Sequence, residues 1–175
     1  MPIINRRVRG FTLAETLMAA TMLVAVVAAI AAPISASCKQ GEAMRDATTA
    51  ASLARQLLDE IVAKPFLDPQ TYTATLGPDS DENGRAAFDD ISDYHGYTDT
   101  TQSLQEVDGT AVNWGGGPVY TRSVSVEFRT APDSAPATTG NFALVTVTVS
   151  TADGQSVKVQ RLVTNYPRTL LKAPS

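Results

Sequence analysis

The feature that most constrains this chain is the absence of any charged side chain from Thr16 to Cys38, 23 consecutive positions dominated by Ala, Val, Leu, Ile and Met. As a helix, about 20 residues rising ~1.5 Å each span the ~30 Å hydrocarbon core of a bilayer. Arg6, Arg7 and Arg9 precede the run, whereas Lys39 and Arg45 after it are offset by Glu42 and Asp46. The positive-inside rule then leaves the amino terminus in the cytoplasm and the bulk of the chain outside.

Length and charge narrow the partners. The 175 residues suffice for one ordinary domain plus an extra segment. Lys and Arg number 14 against 18 Asp and Glu, a net charge of -4, and without the three leading arginines the balance falls to -7. An acidic body with no basic stripe and no interleaved aromatics argues against nucleic acid as a partner. The single cysteine, Cys38, cannot close an intramolecular disulfide, so packing must hold the fold, with a metal as the one available staple. Cys38 reads as a small residue near a membrane surface in preference to a lipidated or reactive thiol.

Two generic readings fit the amino-terminal segment: a plain transmembrane anchor, and a secretory signal cut after Ser35-Ala36-Ser37. A signal h-region runs only ~7–15 residues, which the apolar stretch exceeds, and Arg6-Arg7 fails as a twin-arginine signal for the same reason. A third reading accounts for more residues. Arg9-Gly10-Phe11-Thr12-Leu13-Ala14-Glu15 resembles the processing site of type IV prepilins, in which a basic leader ends in glycine and the mature chain starts with phenylalanine. The resemblance implies cleavage by a prepilin peptidase between Gly10 and Phe11, N-methylation of Phe11, and an assembly role for Glu15 at the fifth mature position. Gly10 suits a scissile bond because no Cβ obstructs close backbone approach. A carboxylate at membrane depth costs several kcal/mol unless paired. In the family, Glu15 would meet the terminal amine of Phe11 on an adjacent subunit.

Beyond the span, Met44, Ala47, Ala51, Ala54, Leu58 and Ile61 recur at spacings of three and four, with Leu57 and Val62 at the margin of the stripe. Arg45, Asp46, Arg55, Gln56, Asp59 and Glu60 fall opposite, and Pro65 ends the pattern after Lys64. Pro33 interrupts the apolar half with a missing hydrogen bond. Strands are legible later. Val124, Val126 and Phe128 alternate with polar residues, as do Ala143, Val145, Val147 and Val149. Val157 and Val159 start a third strand ending before Pro167, joined to the second by Ala152-Asp153-Gly154-Gln155 turn chemistry. Leu162 is out of phase with Val159, which predicts a bulge or a doubly buried strand end. Residues 129–141 read as a loop, and Trp114-Gly115-Gly116-Gly117-Pro118 as a flexible lead-in to the sheet with Trp114 a packing or contact residue.

Residues 78–108 hold nine of the 18 carboxylates against one basic residue, Arg85, a density that suits a cation or a solvated acidic loop. Asp79-x-Asp81-x-Asn83-Gly84 followed by Asp90 matches a calcium-loop pattern, although Asp90 replaces the usual glutamate and no helix pair flanks it. The candidate calcium set is Asp79, Asp81, Asn83, Arg85 and Asp90. Phe88-Asp89-Asp90-Ile91-Ser92-Asp93-Tyr94-His95-Gly96-Tyr97 resembles a stretch in minor pilins of the mannose-sensitive haemagglutinin type and related pseudopilins. No G-x-S-x-G, phosphate-cradling glycine loop or zinc-ligand spacing occurs, and the lone His95 reads as a loop residue; no enzyme is expected.

The fold class expected is α+β: a long amino-terminal helix packed on a small antiparallel sheet. The divisions are a leader (1–10), a membrane helix (11–38), an amphipathic stem (39–64), an acidic loop region (65–119), a sheet (120–167) and a tail (168–175). The resemblance implies a minor pilin or pseudopilin. It would sit in a bacterial inner membrane and assemble with other pilin or pseudopilin subunits into a surface pilus or a periplasmic pseudopilus. The alternative is a secreted or membrane-anchored calcium-dependent binding module.

Overall fold

The computed structural model of this chain describes residues 10–106 and 108–165. Arg6, Arg7 and Arg9, the strand stop expected at Pro167 and the tail at 168–175 lie outside the described residues. Two units are present, one through Met44 and one from Arg45 onward.

A single helix, α1 (Leu13–Ala63, 51 residues), supplies the first unit and the start of the second. Its start is sealed by a capping box. The Thr12 hydroxyl accepts from the Glu15 N–H at 3.3 Å, and Glu15 Oε2 accepts from the Thr12 N–H at 2.9 Å. Its end falls one residue before the expected Lys64, where Lys64 N–H turns back to the Ile61 carbonyl ahead of Pro65. Pro33 lies inside the helix without ending it. In the first unit the apolar side chains are uncovered; Leu17 is 67% and Val24 69% exposed. Three hydroxyls within the span, those of Thr16, Thr21 and Ser35, donate to carbonyls of Leu13, Met18 and Ala31 on the preceding turn. These three hydroxyls are satisfied within the helix, which is long and apolar enough to cross a membrane once.

The second unit is a four-stranded antiparallel meander, β1 (Thr98–Thr100), β2 (Tyr120–Arg129), β3 (Phe142–Thr151) and β4 (Ser156–Thr164), in that spatial order. The carboxy-terminal part of α1 packs on it. One face of β2 and β3 meets the helix through Val124, Val126, Phe128, Ala143, Val145, Val147 and Val149, all buried as the alternation requires. The face of α1 differs from the expected stripe. Ala50, Leu53, Ala54, Leu57, Leu58 and Ile61 are buried, whereas Met44 and Ala47 are exposed, so Leu57 is central and not marginal. Alanine marks no side by itself, and the large Leu53 and Leu57, which fill more of the space above the sheet, decide the orientation.

Leu162 needs no bulge. β3 and β4 pair one to one from Phe142 with Thr164 to Ser150 with Ser156. Val157, Val159 and Val163 take the inward phase with Arg161 among them, whose guanidinium lies 3.7 Å from Asp59, and Leu162 points outward. The turn between these strands has Gly154 at φ 80, as Asp-Gly chemistry requires. Gly140, before β3, is needed for a different reason: a Cβ there would stand 2.0 Å from the Arg129 carbonyl oxygen.

Candidate functional site

Two places gather chemistry: the start of α1, and the connection between α1 and β2. At the first, Gly10 and Phe11 immediately precede the capping box, with Phe11 85% exposed. Glu15 is occupied locally, since its Oε2 also accepts the Thr12 hydroxyl at 2.9 Å. The T-x-x-E spacing ahead of an apolar run was a readable signal for this cap.

The connection is organised by aromatic packing. Phe88 meets Tyr94 edge-on with centroids 5.0 Å apart, and Tyr97 stands 6.0 Å from Phe88 and 6.2 Å from Tyr94. With Ile91 they make the segment from Phe88 to Tyr97 part of the core, around the short 3-10 turn Ser92–Tyr94. His95 Nδ1 accepts the Val126 N–H at 3.2 Å, so its imidazole serves as a strand-edge acceptor beside β2. Trp114 packs edge-on against Tyr120 and donates from Nε1 to the Pro118 carbonyl at 3.1 Å, a packing role as expected.

Beneath the aromatics lies a buried charge network. Arg122 sits on the inward phase of β2 between Tyr120 and Val124 and is 1% exposed. Its Nε donates to Asp99 Oδ1 at 2.7 Å and its Nη2 to Asp99 Oδ2. Arg85 donates from Nε to Glu60 Oε1 at 2.8 Å, from Nη2 to Glu60 Oε2, and from Nη1 to the Gln105 carbonyl at 2.7 Å. Tyr94 donates to Glu60 at 2.8 Å and Tyr97 to Asp99 at 2.9 Å. Two cations thus face two anions in a low-dielectric setting, linked across 4.0 Å between Arg85 and Asp99. Burial alone would raise the Glu60 carboxyl, but the bonds from Arg85 and Tyr94 hold it below the usual range. The Tyr94 phenol is pushed up, first by burial and then by Glu60. Glu60 was expected on the solvated side of the helix; the long reach of Arg85 brings it under the loop instead.

The candidate calcium set is not assembled as a unit. Arg85, which could serve only through its main-chain carbonyl, has that oxygen accepting the Phe88 N–H at 3.3 Å, and Asp90, 2% exposed, spends Oδ1 on the N–H and hydroxyl of Ser92. Asp79, Asp81 and Asn83 are exposed. Among the described residues the converging carboxylates are Glu82, Asp89 and Asp93, with one oxygen of each within 4.8 Å of the others. Their hard oxygen donors fit a divalent cation such as calcium, which they could coordinate together with water. Burial, reinforced by the charges of Asp90 and Glu82, pushes the Asp93 carboxyl up to about 7, against the Asp89 and Asp90 N–H groups that donate to its Oδ2.

That shift has a definite sign. An ordinary Asp releases its proton near 3.8, so between that value and about 7 folded Asp93 keeps a proton that the unfolded chain has lost. Stability falls as pH rises through this window and levels off above it. The melting temperature is expected to be several degrees lower at about pH 8 than at about pH 5, with calcium recovering part of the loss at the higher pH only. Asp93→Asn should flatten the dependence; an undiminished slope in that variant would assign it to another group.

Compared with protein-family models, curated proteins and solved structures, the chain matches none.

Proposed function

We propose that this chain is the precursor of a minor pilin or pseudopilin, trimmed between Gly10 and Phe11, methylated at Phe11, and held by α1 in the bacterial inner membrane. From there it enters a type IV pilus or a type II secretion pseudopilus. The observation that carries this reading is the junction at the head of α1: Gly10-Phe11, then a Thr12–Glu15 cap, then an apolar helix with none of its span buried. A plain anchor has no use for a glycine-phenylalanine pair there, and its helix would be capped as well by glutamine as by a charged residue. The sheet packed on the same helix agrees with a pilin-like architecture. Its partners are a prepilin peptidase and other subunits of the fibre, and its work is associative, without catalysis.

A second reading has one observation behind it. The convergence of Glu82, Asp89 and Asp93 favours a divalent cation in the second unit, whether the chain is a fibre subunit or a secreted or anchored calcium-dependent module. Mass spectrometry of the mature protein separates the two. A chain beginning at methylated Phe11 is the expected result. A start at Cys38 supports the secreted module, and an intact chain from Met1 supports the plain anchor.

A further inference from the structure

A cavity of about 500 Å³ opens in the second unit between α1 and the segment that leads from β1 to β2. That volume falls within the ~300–1,000 Å³ typical of small-ligand sites. Its floor is the buried charge network. Arg122, 1% exposed, lines it. With Nε and Nη2 committed to Asp99, the group left over is Nη1, which has no acceptor among the described residues. A donor on a buried guanidinium calls for a partner, and the cavity is the side from which one can come. Leu53, Leu104 and Trp114 supply apolar wall. Glu106 and Asp108 stand at the exposed mouth, and neither forms an ion pair among the described residues.

We propose that this cavity binds a short peptide segment carrying lysine or arginine, with a main-chain carbonyl on Arg122 Nη1 and the cationic side chain between Trp114 and the carboxylates of Glu106 and Asp108. Charge decides the class. The floor is balanced as it stands, two guanidiniums against Glu60 and Asp99, so an entering carboxylate or phosphate would bring an unmatched charge into a buried space. An uncharged oxygen meets the free N–H without adding one. At the mouth the sign is negative, and the indole face attracts a cation at the same place. The ligand is therefore polar but uncharged at its inner end, apolar along its stem and positive at its outer end. A lysine or arginine residue within a peptide has those three parts in that order. The contacts are the same for a free peptide and for a segment of a larger protein, and they do not depend on entry into a fibre.

The test titrates the full-length chain, in a nonionic detergent, with acetyl-Gly-Lys-Gly-amide, its Gly-Glu-Gly counterpart, spermidine, and a longer peptide carrying Gly-Lys-Gly at its centre. Trp114 is the single tryptophan and forms a wall of the cavity, so its emission reports occupancy. The lysine tripeptide is expected to shift that emission saturably. Glu106→Gln combined with Asp108→Asn should weaken its binding about fivefold or more at an unchanged melting temperature, since both side chains are exposed. Raised salt should weaken wild-type binding in the same direction, a result that stands even if the variant unfolds. Tighter binding of the longer peptide assigns the site to a segment of a larger protein and equal binding to a free peptide, and both support the proposal. No response to either lysine peptide overturns it. So does an equal response to the glutamate peptide, or to spermidine, which has no carbonyl and marks mere attraction of cations to an acidic surface. Undiminished binding by the folded double variant overturns it as well.

Discussion

Asp99→Ala is expected to destabilise the second unit by about 3–5 kcal/mol, the loss that follows when one partner of a buried ion pair is removed and the other stays. The guanidinium of Arg122 is 1% exposed and directed by β2 toward the helix, so it cannot swing into water as a surface arginine would. Asp99 supplies the acceptors for both its Nε and its Nη2, and also lies 4.0 Å from Arg85. Removing it leaves excess positive charge in a space lined by Leu53, Leu104 and Trp114. The exposed pair Arg161 and Asp59 gives the contrast: breaking it is worth at most about 1 kcal/mol. Denaturant titration of the full chain in detergent, followed by the single Trp114 beside Tyr120, measures both. A loss for Asp99→Ala as small as that for Asp59→Ala would show that water reaches the network. The double change Asp99→Leu with Arg122→Met should recover much of the loss, because an apolar pair of similar volume has no charge to desolvate.

The same arginine shows where the sequence is legible and where it stops. An uncharged run of 23 residues has few other uses, and the alternations at Val124 to Phe128 and Ala143 to Val149 each bury one face, so span and central strands could be read directly. Arg122 occupies the inward phase of that alternation, two positions before Val124, a visible anomaly that predicts a buried partner without saying which of 18 carboxylates it is. Asp99 answers it from β1, three residues long and too short to leave a pattern. The acidic segment misleads for a related reason. Calcium-loop spacing presumes a particular loop path, whereas here Phe88, Ile91 and Tyr94 are drawn into the core, taking Asp90 with them and turning Asp89 and Asp93 toward Glu82. Side-chain burial sets the path, and ligand spacing follows from it.

At the other end of the chain, Glu15→Gln and Glu15→Ala are expected to leave trimming at Phe11 intact and to lower incorporation into fibres at least about tenfold, equally for both. The pair of variants matters because Glu15 already has a local task. Its Oε2 accepts from the N–H and hydroxyl of Thr12, closing the capping box at the first turn of α1. Glutamine fills that position of a capping box as glutamate does, so Glu15→Gln keeps the cap and discards only the charge. Alanine discards both the charge and the reciprocal bond to Thr12. If the carboxylate acts by meeting the terminal amine of a neighbouring Phe11, losing the charge is decisive and the cap is incidental, so the two variants fail alike. If Glu15 serves only to start its own helix, Glu15→Gln assembles normally and Glu15→Ala alone is impaired. Thr12→Ala supplies the converse, removing the cap hydroxyl while leaving the charge, and is expected to assemble close to wild type. A hydrogen bond to a neutral hydroxyl leaves the negative charge in place, and in hydrocarbon that residual charge still calls for a cation. Local capping is therefore compatible with pairing between subunits, and the carboxylate held at the first turn of α1 stands only four residues from the terminal amine that trimming would create.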